Sequence, residues 1–125
     1  MTAGKSVEVP VLIVGGGPAG LVTSLLLSRF GVDSLLVEKH ASVSALPRAR
    51  GVHARAMEIL RVLGIETDMR RLELPIDSGG EWRRTLTTSP VRENVPAAPD
   101  GVPVSPCEGL SVSQDVFESV LREHA

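Results

Sequence analysis

A glycine-rich turn between two short apolar runs is the feature that most constrains this chain. Residues 11–14 are VLIV, residues 15–20 are GGGPAG, and a mostly apolar helical pattern continues to residue 30. A second apolar run at residues 34–37 is closed by Glu38. A strand buried on both faces of a parallel sheet has such a continuous apolar sequence. The pattern therefore predicts a strand, a tight turn, a helix and a second parallel strand.

The residues of the turn have the properties that a dinucleotide-binding motif needs. Gly15 allows a sharp turn, Gly17 leaves room for a pyrophosphate, and Gly20 permits close packing of the helix on the sheet. Pro18 suits the first helical turn, because its missing N–H would have no partner there. The helix N-terminus offers free N–H groups to a phosphate. We predict a Rossmann-like βαβ unit that binds a dinucleotide, against the alternative of a strand-to-helix turn without a ligand.

Glu38 ends the second predicted strand, where an acid accepts hydrogen bonds from the hydroxyls of an adenosine ribose. An acid rather than an arginine at this place favours an unphosphorylated ribose, so FAD or NAD rather than NADP is expected there. Considered alone, Glu38 is also consistent with a solvated acid at the end of a strand. The glycine turn and Glu38 do not choose between FAD and NAD.

Composition limits the remaining possibilities. A chain of 125 residues makes one domain at most, and its 42 % hydrophobic content allows a modest core. The net charge of −2 gives no reason to expect a nucleic acid or an anionic membrane as partner. Cys107 is the single cysteine, so we expect no internal disulfide and a small, buried or half-exposed side chain. Because residues 1–6 lack the features of a signal peptide, a cytoplasmic protein is predicted.

The middle of the chain is predicted to contain a loop and a helix. Residues 39–46 show no periodicity and are expected to form a loop. A helix is predicted over residues 53–63, ending at Gly64, and a short helical turn within residues 65–74. The apolar side of the first helix is predicted to be Ala56, Ile59, Leu60 and Leu63, and the exposed basic residues of the turn to be Arg70 and Arg71.

The later part of the chain changes in composition. Residues 75–106 are rich in proline and are interpreted as a long loop with a short β excursion, in which only residues 81–88 resemble a strand. Residues 110–112 are predicted to be extended, with Ser113 as the N-cap of a helix over residues 115–124. The three histidines have no spacing typical of a metal site or a catalytic triad.

Three segments, taken together, resemble the FAD-dependent aromatic hydroxylases. They are GGGPAG with Glu38-Lys39, PRARGVHARAMEILRVLGI from residue 47, and SVSQDVFESVLREHA from residue 111. In that order they are similar to the flavoprotein monooxygenases of the p-hydroxybenzoate hydroxylase type, especially the bacterial branch that hydroxylates phenols and polycyclic aromatic polyketides. The resemblance covers nearly the whole chain. It implies FAD as cofactor, NAD(P)H as electron donor, and O2 and an aromatic compound as substrates.

The resemblance also implies which residues bind FAD. Glu38 would contact the adenosine ribose and Lys39 the edge of the adenosine. Arg48, in the R-A-x-G context of the family, would contact the phosphate and ribityl region, with its neighbour Arg50 as an alternative. Gln114 would also reach FAD. The residues implied to line the pyrophosphate are Gly15, Gly17, Pro18, Ala19 and Gly20.

From the residues alone, such an arginine is more often a solvated loop residue than a ligand-binding one, and such a glutamine is more often a polar residue at a helix start; this applies to Arg48 and Gln114. Their proposed contacts with FAD therefore depend on the resemblance. No residue of this chain is predicted to be catalytic, because the flavin carries the difficult chemistry in this family.

Length separates this chain from the family it resembles. The family's members are several times longer, and this chain has no counterpart of their later segments, which carry an Asp-Gly motif and a Gly-Asp motif near the flavin. We therefore expect residues 1–125 to be the N-terminal part of an FAD-binding domain, which needs the remainder of the enzyme and is inactive alone. The alternatives are a non-catalytic nucleotide-binding module, an inactive truncated product, or an NAD-dependent dehydrogenase domain. The last would continue with alternating strands and helices after Glu38, and this sequence does not.

Overall fold

The computed structural model describes residues 6–44, 48–75, 87 and 103–125. These residues form two small sheets and the helices that pack against them. In chain order the elements are β1 (Val11–Val14), α1 (Pro18–Arg29), β2 (Ser34–Val37), β3 (Arg50–Val52), α2 (Ala54–Leu63), α3 (Glu66–Arg70), β4 (Leu110–Ser113) and α4 (Gln114–His124).

The predicted strand–helix–strand order at the start of the chain is confirmed. Strands β1 and β2 pair in parallel, with Val11 opposite Ser34 and Val14 opposite Val37. The Gly15 amide donates to the Val37 carbonyl over 2.8 Å, which extends the strand pairing into the glycine turn. Helix α1 makes the crossover between the strands and is followed by a left-handed glycine, as predicted.

The prediction that the first strand is buried on both faces is wrong for the residues described. Leu12 and Val14 are 58 % and 80 % exposed, and Leu35 and Val37 are 38 % and 40 % exposed. The register places Leu12 beside Leu35 and Val14 beside Val37, so all four side chains share one face. Helix α1 packs against β1 and β2 and covers the other face, where Leu36 joins the core. None of the described elements buries the four exposed side chains.

A second sheet is formed by strands that are far apart in sequence. Strand β3 runs antiparallel to β4, with Arg50 opposite Ser113 and Val52 opposite Leu110. The extended conformation of residues 110–112 is confirmed, whereas β3 was not predicted. Its sequence is only Arg-Gly-Val, which is too short to show an alternating pattern.

Helix α2 agrees with the predicted helix over residues 53–63. It begins at Ala54 with His53 as its N-cap and ends at Leu63, followed by Gly64 as C-cap with a φ of +80°. Leu60 of the predicted apolar side is buried, and so is Met57, which was not predicted. The other predicted apolar residues, Ala56, Ile59 and Leu63, are half-buried.

Helix α4 begins one residue earlier than predicted, at Gln114, and Ser113 is confirmed as its N-cap. It packs against α1, α3 and β4, and so joins the parallel unit to the rest of the described residues. The buried core crosses this junction and consists of Leu21, Met57, Leu60, Ile65, Met69, Cys107, Leu110, Val112, Phe117, Val120 and Leu121.

The predicted exposure of Arg70 is wrong, although Arg71 is exposed as predicted. The Arg70 guanidinium donates to the carbonyl oxygens of Glu108 and Gly109 over 2.8 and 3.1 Å. It therefore connects α3 to the segment that precedes β4, and this contact removes it partly from solvent.

Two further predictions concern residues 81–88 and the loop after β2. The predicted strand over residues 81–88 lies outside the described residues, apart from Thr87. Residues 39–44 form neither helix nor strand, in agreement with the predicted loop.

Within the described ranges, every helix is too short or too polar to span a lipid bilayer.

The core at the junction can be tested with a pair of leucine substitutions. Leu60 is fully buried and Leu72 is exposed. Replacing Leu60 with alanine leaves a cavity and is expected to lower the free energy of unfolding by about 2–5 kcal/mol. The matched change Leu72→Ala is expected to cost less than about 1 kcal/mol. Urea unfolding followed by circular dichroism measures both, and equal effects would contradict the described core.

Candidate dinucleotide-binding site

The three glycines of the fingerprint have different geometries. Gly15 has a φ of +116°, which side-chain-bearing residues rarely adopt, and so allows the chain to leave β1 sharply. A Cβ added to Gly17 would meet no atom within 4 Å, so its backbone is open to a ligand. A Cβ added to Gly20 would lie 2.0 Å from the Gly15 carbonyl oxygen. These geometries match the turn, the open approach and the close packing that the fingerprint requires.

The start of α1 is suited to an anion. Pro18 occupies the first turn, and the first helical hydrogen bond runs from the Leu21 amide to the Gly17 carbonyl over 3.0 Å. The amides of Ala19 and Gly20 therefore precede the first helical bond and have no acceptor within the helix. The first turn contains no acidic residue that would neutralise the positive end of the helix dipole. A phosphate group is the ligand that such a helix start favours.

Glu38 is bonded to the turn itself. Its Oε2 accepts a hydrogen bond from the Gly16 amide over 2.7 Å, and its Oε1 accepts one from the His40 amide over 2.8 Å. These two N–H groups, Gly16 first, lower the pKa of the Glu38 carboxyl below its ordinary value of 4.5. A carboxylate has about four lone pairs, so two remain for further donors such as hydroxyl groups. The contact with Gly16 was not predicted.

Gly16 must be small for this contact to form. A Cβ at this position would lie 2.9 Å from the Cβ of Glu38, which is closer than such atoms approach in proteins. The second glycine of the turn is thus required by the acid at the end of β2. The fingerprint leaves this position open, so the sequence pattern alone did not indicate its role.

A cavity of about 240 Å³, here called the turn cavity, collects most of the predicted polar residues. The predicted residues that line it are Gly17, Pro18, Glu38, Arg48 and Gln114. The lining residues that were not predicted are Gly16, His40, Ser42, Ser44, Glu118 and Arg122. The glycine turn, the loop after β2 and helix α4 therefore meet at one place.

The remaining predicted residues lie at its borders. Gly15 and Lys39 line a neighbouring cavity of about 520 Å³ at the carboxyl ends of β1 and β2, together with Glu38. Ala19 and Gly20 lie in the first turn of α1 and are not among the residues lining the turn cavity. Apart from Ala19 and Gly20, the predicted residues thus line one or the other of two adjoining cavities, with Glu38 in both.

An apolar cavity of about 270 Å³ adjoins the turn cavity on another side. Pro18 and Gln114 line both of them. The other residues of the apolar cavity are Ala49, Gly51, Val52, His53, Ala56, Val112 and Phe117. A polar space and an apolar space therefore share a border, which suits a ligand with a charged part and a flat, less polar part.

The structure separates the two arginines between which the sequence did not decide. Arg48 lines the turn cavity, whereas Arg50 lines a different cavity of about 590 Å³ together with Glu73. Arg48 precedes β3, whereas Arg50 is its first residue and lies opposite Ser113 of β4.

Helix α4 contributes a row of polar residues to the turn cavity. Gln114, Glu118 and Arg122 are spaced by four residues and share one face of the helix. The Gln114 Nε2 donates to the Glu118 Oε1 over 2.6 Å, and the Glu118 side chain is buried. This spacing was the signal in the sequence from which Glu118 and Arg122 could have been identified. Among the described residues, no group of three or more His, Cys, Asp or Glu is arranged to hold a metal ion.

Two glycines of the turn provide a matched test. Gly20→Ala is expected to lower the free energy of unfolding by about 1–3 kcal/mol, since the new Cβ would overlap the Gly15 carbonyl. Gly17→Ala meets open space and is expected to cost no more than about 1 kcal/mol, as an N-cap change. Chemical unfolding of both variants measures the difference. A Gly20→Ala variant as stable as the wild type would contradict the close packing of α1.

The bonds of Glu38 predict a pH dependence of stability. Because its pKa is lowered on folding, the ionised carboxylate stabilises the fold above about pH 4.5, and this contribution is lost as the pH falls through the folded-state pKa. Glu38→Gln should therefore reduce stability at pH 7 more than at pH 3. Glu123→Gln, at an exposed position near the end of α4, serves as control. A Glu38→Gln effect that is the same at both pH values would refute the assignment.

Comparison with known proteins places this chain in a family. The chain matches the FAD binding domain family over residues 8–125. It is 35 % identical to tetracenomycin B2 monooxygenase-dioxygenase of Streptomyces olivaceus over 136 residues, covering 95 % of this chain and 25 % of that protein. It is 33 % identical to 2,4-dichlorophenol 6-monooxygenase of Delftia acidovorans, covering 95 % of this chain and 22 % of that protein.

A solved structure shows the same similarity in three dimensions. The flavin-dependent monooxygenase PieE, in complex with FAD and substrate, superposes with a TM-score of 0.72 at 33 % identity. The match covers 97 % of this chain and 22 % of PieE. The chain thus spans about a quarter of the length of these relatives. Since the family match extends over nearly all of its residues, the chain belongs to the FAD-binding domain family.

Proposed function

We propose that this chain forms the FAD-binding part of a flavin-dependent monooxygenase that hydroxylates an aromatic substrate, phenolic or polyketide, with NAD(P)H and O2. The observation that carries the proposal is the turn cavity, in which the open Gly17 backbone, Glu38, Arg48 and Gln114 meet. The relatives support the substrate class, because one of them is named for 2,4-dichlorophenol, which is a phenol.

The described residues fit the adenosine diphosphate half of FAD. The backbone at Gly17, the free amides of the first turn of α1 and the cation of Arg48 suit the pyrophosphate. Glu38 has lone pairs free for the ribose hydroxyls after its two backbone bonds. Lys39 and the exposed side chain of Val14 line the adjoining cavity, which would receive the adenosine edge.

The described residues also fit the other half of the cofactor. Pro18 and Gln114 stand at the border of the turn cavity and the apolar cavity, so they would contact the ribityl chain between them. Val52, Val112 and Phe117 provide an apolar wall that excludes water from a flat ring. When bound, FAD supplies the redox and oxygen chemistry. The residues of this chain hold and orient it.

We further propose that the chain acts together with additional polypeptide of the same enzyme. The relatives are about four times as long as the matched region. The exposed apolar face of Leu12, Val14, Leu35 and Val37 is a surface that such polypeptide would cover.

A cytoplasmic location belongs to the same proposal and is supported by the single, free Cys107.

Nucleotide binding by the 125-residue chain tests the proposed cofactor site. We expect ADP, titrated to millimolar concentration, to shift the amide resonances of residues 15–20 and 38–40 in ¹⁵N–¹H spectra. Gly17→Ala should weaken ADP binding roughly tenfold, because its methyl group stands where the phosphates approach the backbone. Gly31→Ala, at a glycine beyond the other end of α1, is the control for ADP binding. No shift, or shifts elsewhere in the chain, would contradict the site.

Catalysis is tested by adding the polypeptide encoded downstream of this sequence. The expected result is FAD binding, followed by NAD(P)H oxidation and oxygen incorporation that depend on a phenolic substrate. ADP binding without any flavin chemistry in the presence of this polypeptide would instead favour a nucleotide-binding module.

A further inference from the structure

We propose that Arg122 of helix α4 binds the diphosphate of the cofactor. This inference rests on the proposed FAD site and adds to it a residue that was not among the predicted FAD contacts. Arg122 lines the turn cavity together with the glycine turn and Arg48. The ligand class is a diphosphate linked to a ribose, since Glu38, which suits ribose hydroxyls, lines the same cavity.

The guanidinium of Arg122 lacks a partner within the described part of the chain. It makes no hydrogen bond or ion pair with a described residue, and its Nε is shielded from water without an acceptor. A shielded N–H group without an acceptor costs free energy, and native proteins contain few such groups. An anion in the adjoining cavity would supply the missing negative charge to this side chain.

Glu118 does not supply that charge. It lies one turn before Arg122 on the same helix face, a spacing at which glutamate and arginine often pair. Its carboxylate is instead bonded to Gln114, one turn earlier. The carboxylate of Glu118 therefore accepts a hydrogen bond from the Gln114 amide, and the guanidinium of Arg122 remains available to another group.

The position of α4 directs this cation toward the turn. Long side chains on a helix lean toward its N-terminus, so Arg122 leans toward the turns that carry Glu118 and Gln114. Gln114 lines the turn cavity and the apolar cavity together with Pro18. Helix α4 also packs against α1, whose N-terminus offers free amides. Arg122 thus approaches the same space as the helix start.

The charges of the turn cavity suit a diphosphate. Two arginines, Arg48 from a loop and Arg122 from α4, line it together with the N-terminus of α1. The carboxylates there are Glu38 and Glu118, and both already accept hydrogen bonds within the protein. The planar guanidinium presents several N–H donors in a geometry that matches phosphate oxygens, which an ammonium group does not.

The test compares ADP binding by the wild-type chain, Arg122→Gln and Arg29→Gln. Arg29 is an exposed arginine in the last turn of α1, so its replacement removes the same charge away from the cavity. Isothermal titration with ADP should give a Kd roughly tenfold higher for Arg122→Gln and nearly unchanged for Arg29→Gln. Arg122→Lys, which keeps the charge, should lie between the wild type and Arg122→Gln. Circular dichroism and the thermal midpoint report whether each variant remains folded.

Each outcome decides the inference. If Arg122→Gln and Arg29→Gln bind ADP with the same affinity, Arg122 does not contact the diphosphate, and a lower thermal midpoint would then show a purely structural role. If Arg122→Gln does not fold, the comparison of Arg122→Lys with the wild type decides, and equal affinities overturn the inference. If the wild-type chain itself does not bind ADP, the proposed cofactor site fails and the role of Arg122 fails with it.

Discussion

The hydrogen bond between Glu38 and the Gly16 amide is the contact on which the candidate site depends. It connects the end of β2 to the turn that follows β1, beside the bond from the Gly15 amide to the Val37 carbonyl. The turn is thereby held in the conformation that leaves the backbone at Gly17 open. The same carboxylate keeps two lone pairs for a ribose, so one side chain shapes the phosphate region and borders the sugar region.

Helix α4 is as important as this bond, because it forms the wall of the turn cavity that the glycine turn and the loop after β2 do not supply. It packs against α1 of the parallel unit and against β4 of the antiparallel sheet. Its apolar residues, including the fully buried Leu121, belong to the core at this junction. Its polar row of Gln114, Glu118 and Arg122 lines the turn cavity. Because burial of the apolar face fixes the rotation of the helix, the same packing determines where the polar row points.

Local patterns predicted the elements well where they were long and strongly periodic. The strand–helix–strand order, helix α2 and helix α4 were all predicted within one residue at their starts. Strand β3 was missed because three residues carry no periodicity and its partner, β4, is about sixty residues away. The partial burial of Arg70 and the exposure of Val14 were also mispredicted. Both depend on which elements lie nearby, and a local pattern does not contain that information.

The sequence by itself determined the parallel βαβ unit, the glycine fingerprint and, through three segments, the resemblance to FAD-dependent aromatic hydroxylases. These properties are local, because glycine geometry, helix caps and apolar periodicity act over a few residues. Only the tertiary structure distinguished Arg48 from Arg50, gave Glu38 its bond to Gly16, and brought Arg122 to the turn cavity. The bond between Gly16 and Glu38 joins residues more than twenty positions apart, and Arg122 lies more than seventy positions after Arg48 in the sequence. Their geometry is set by how the helices and sheets pack, so the linear sequence did not reveal it.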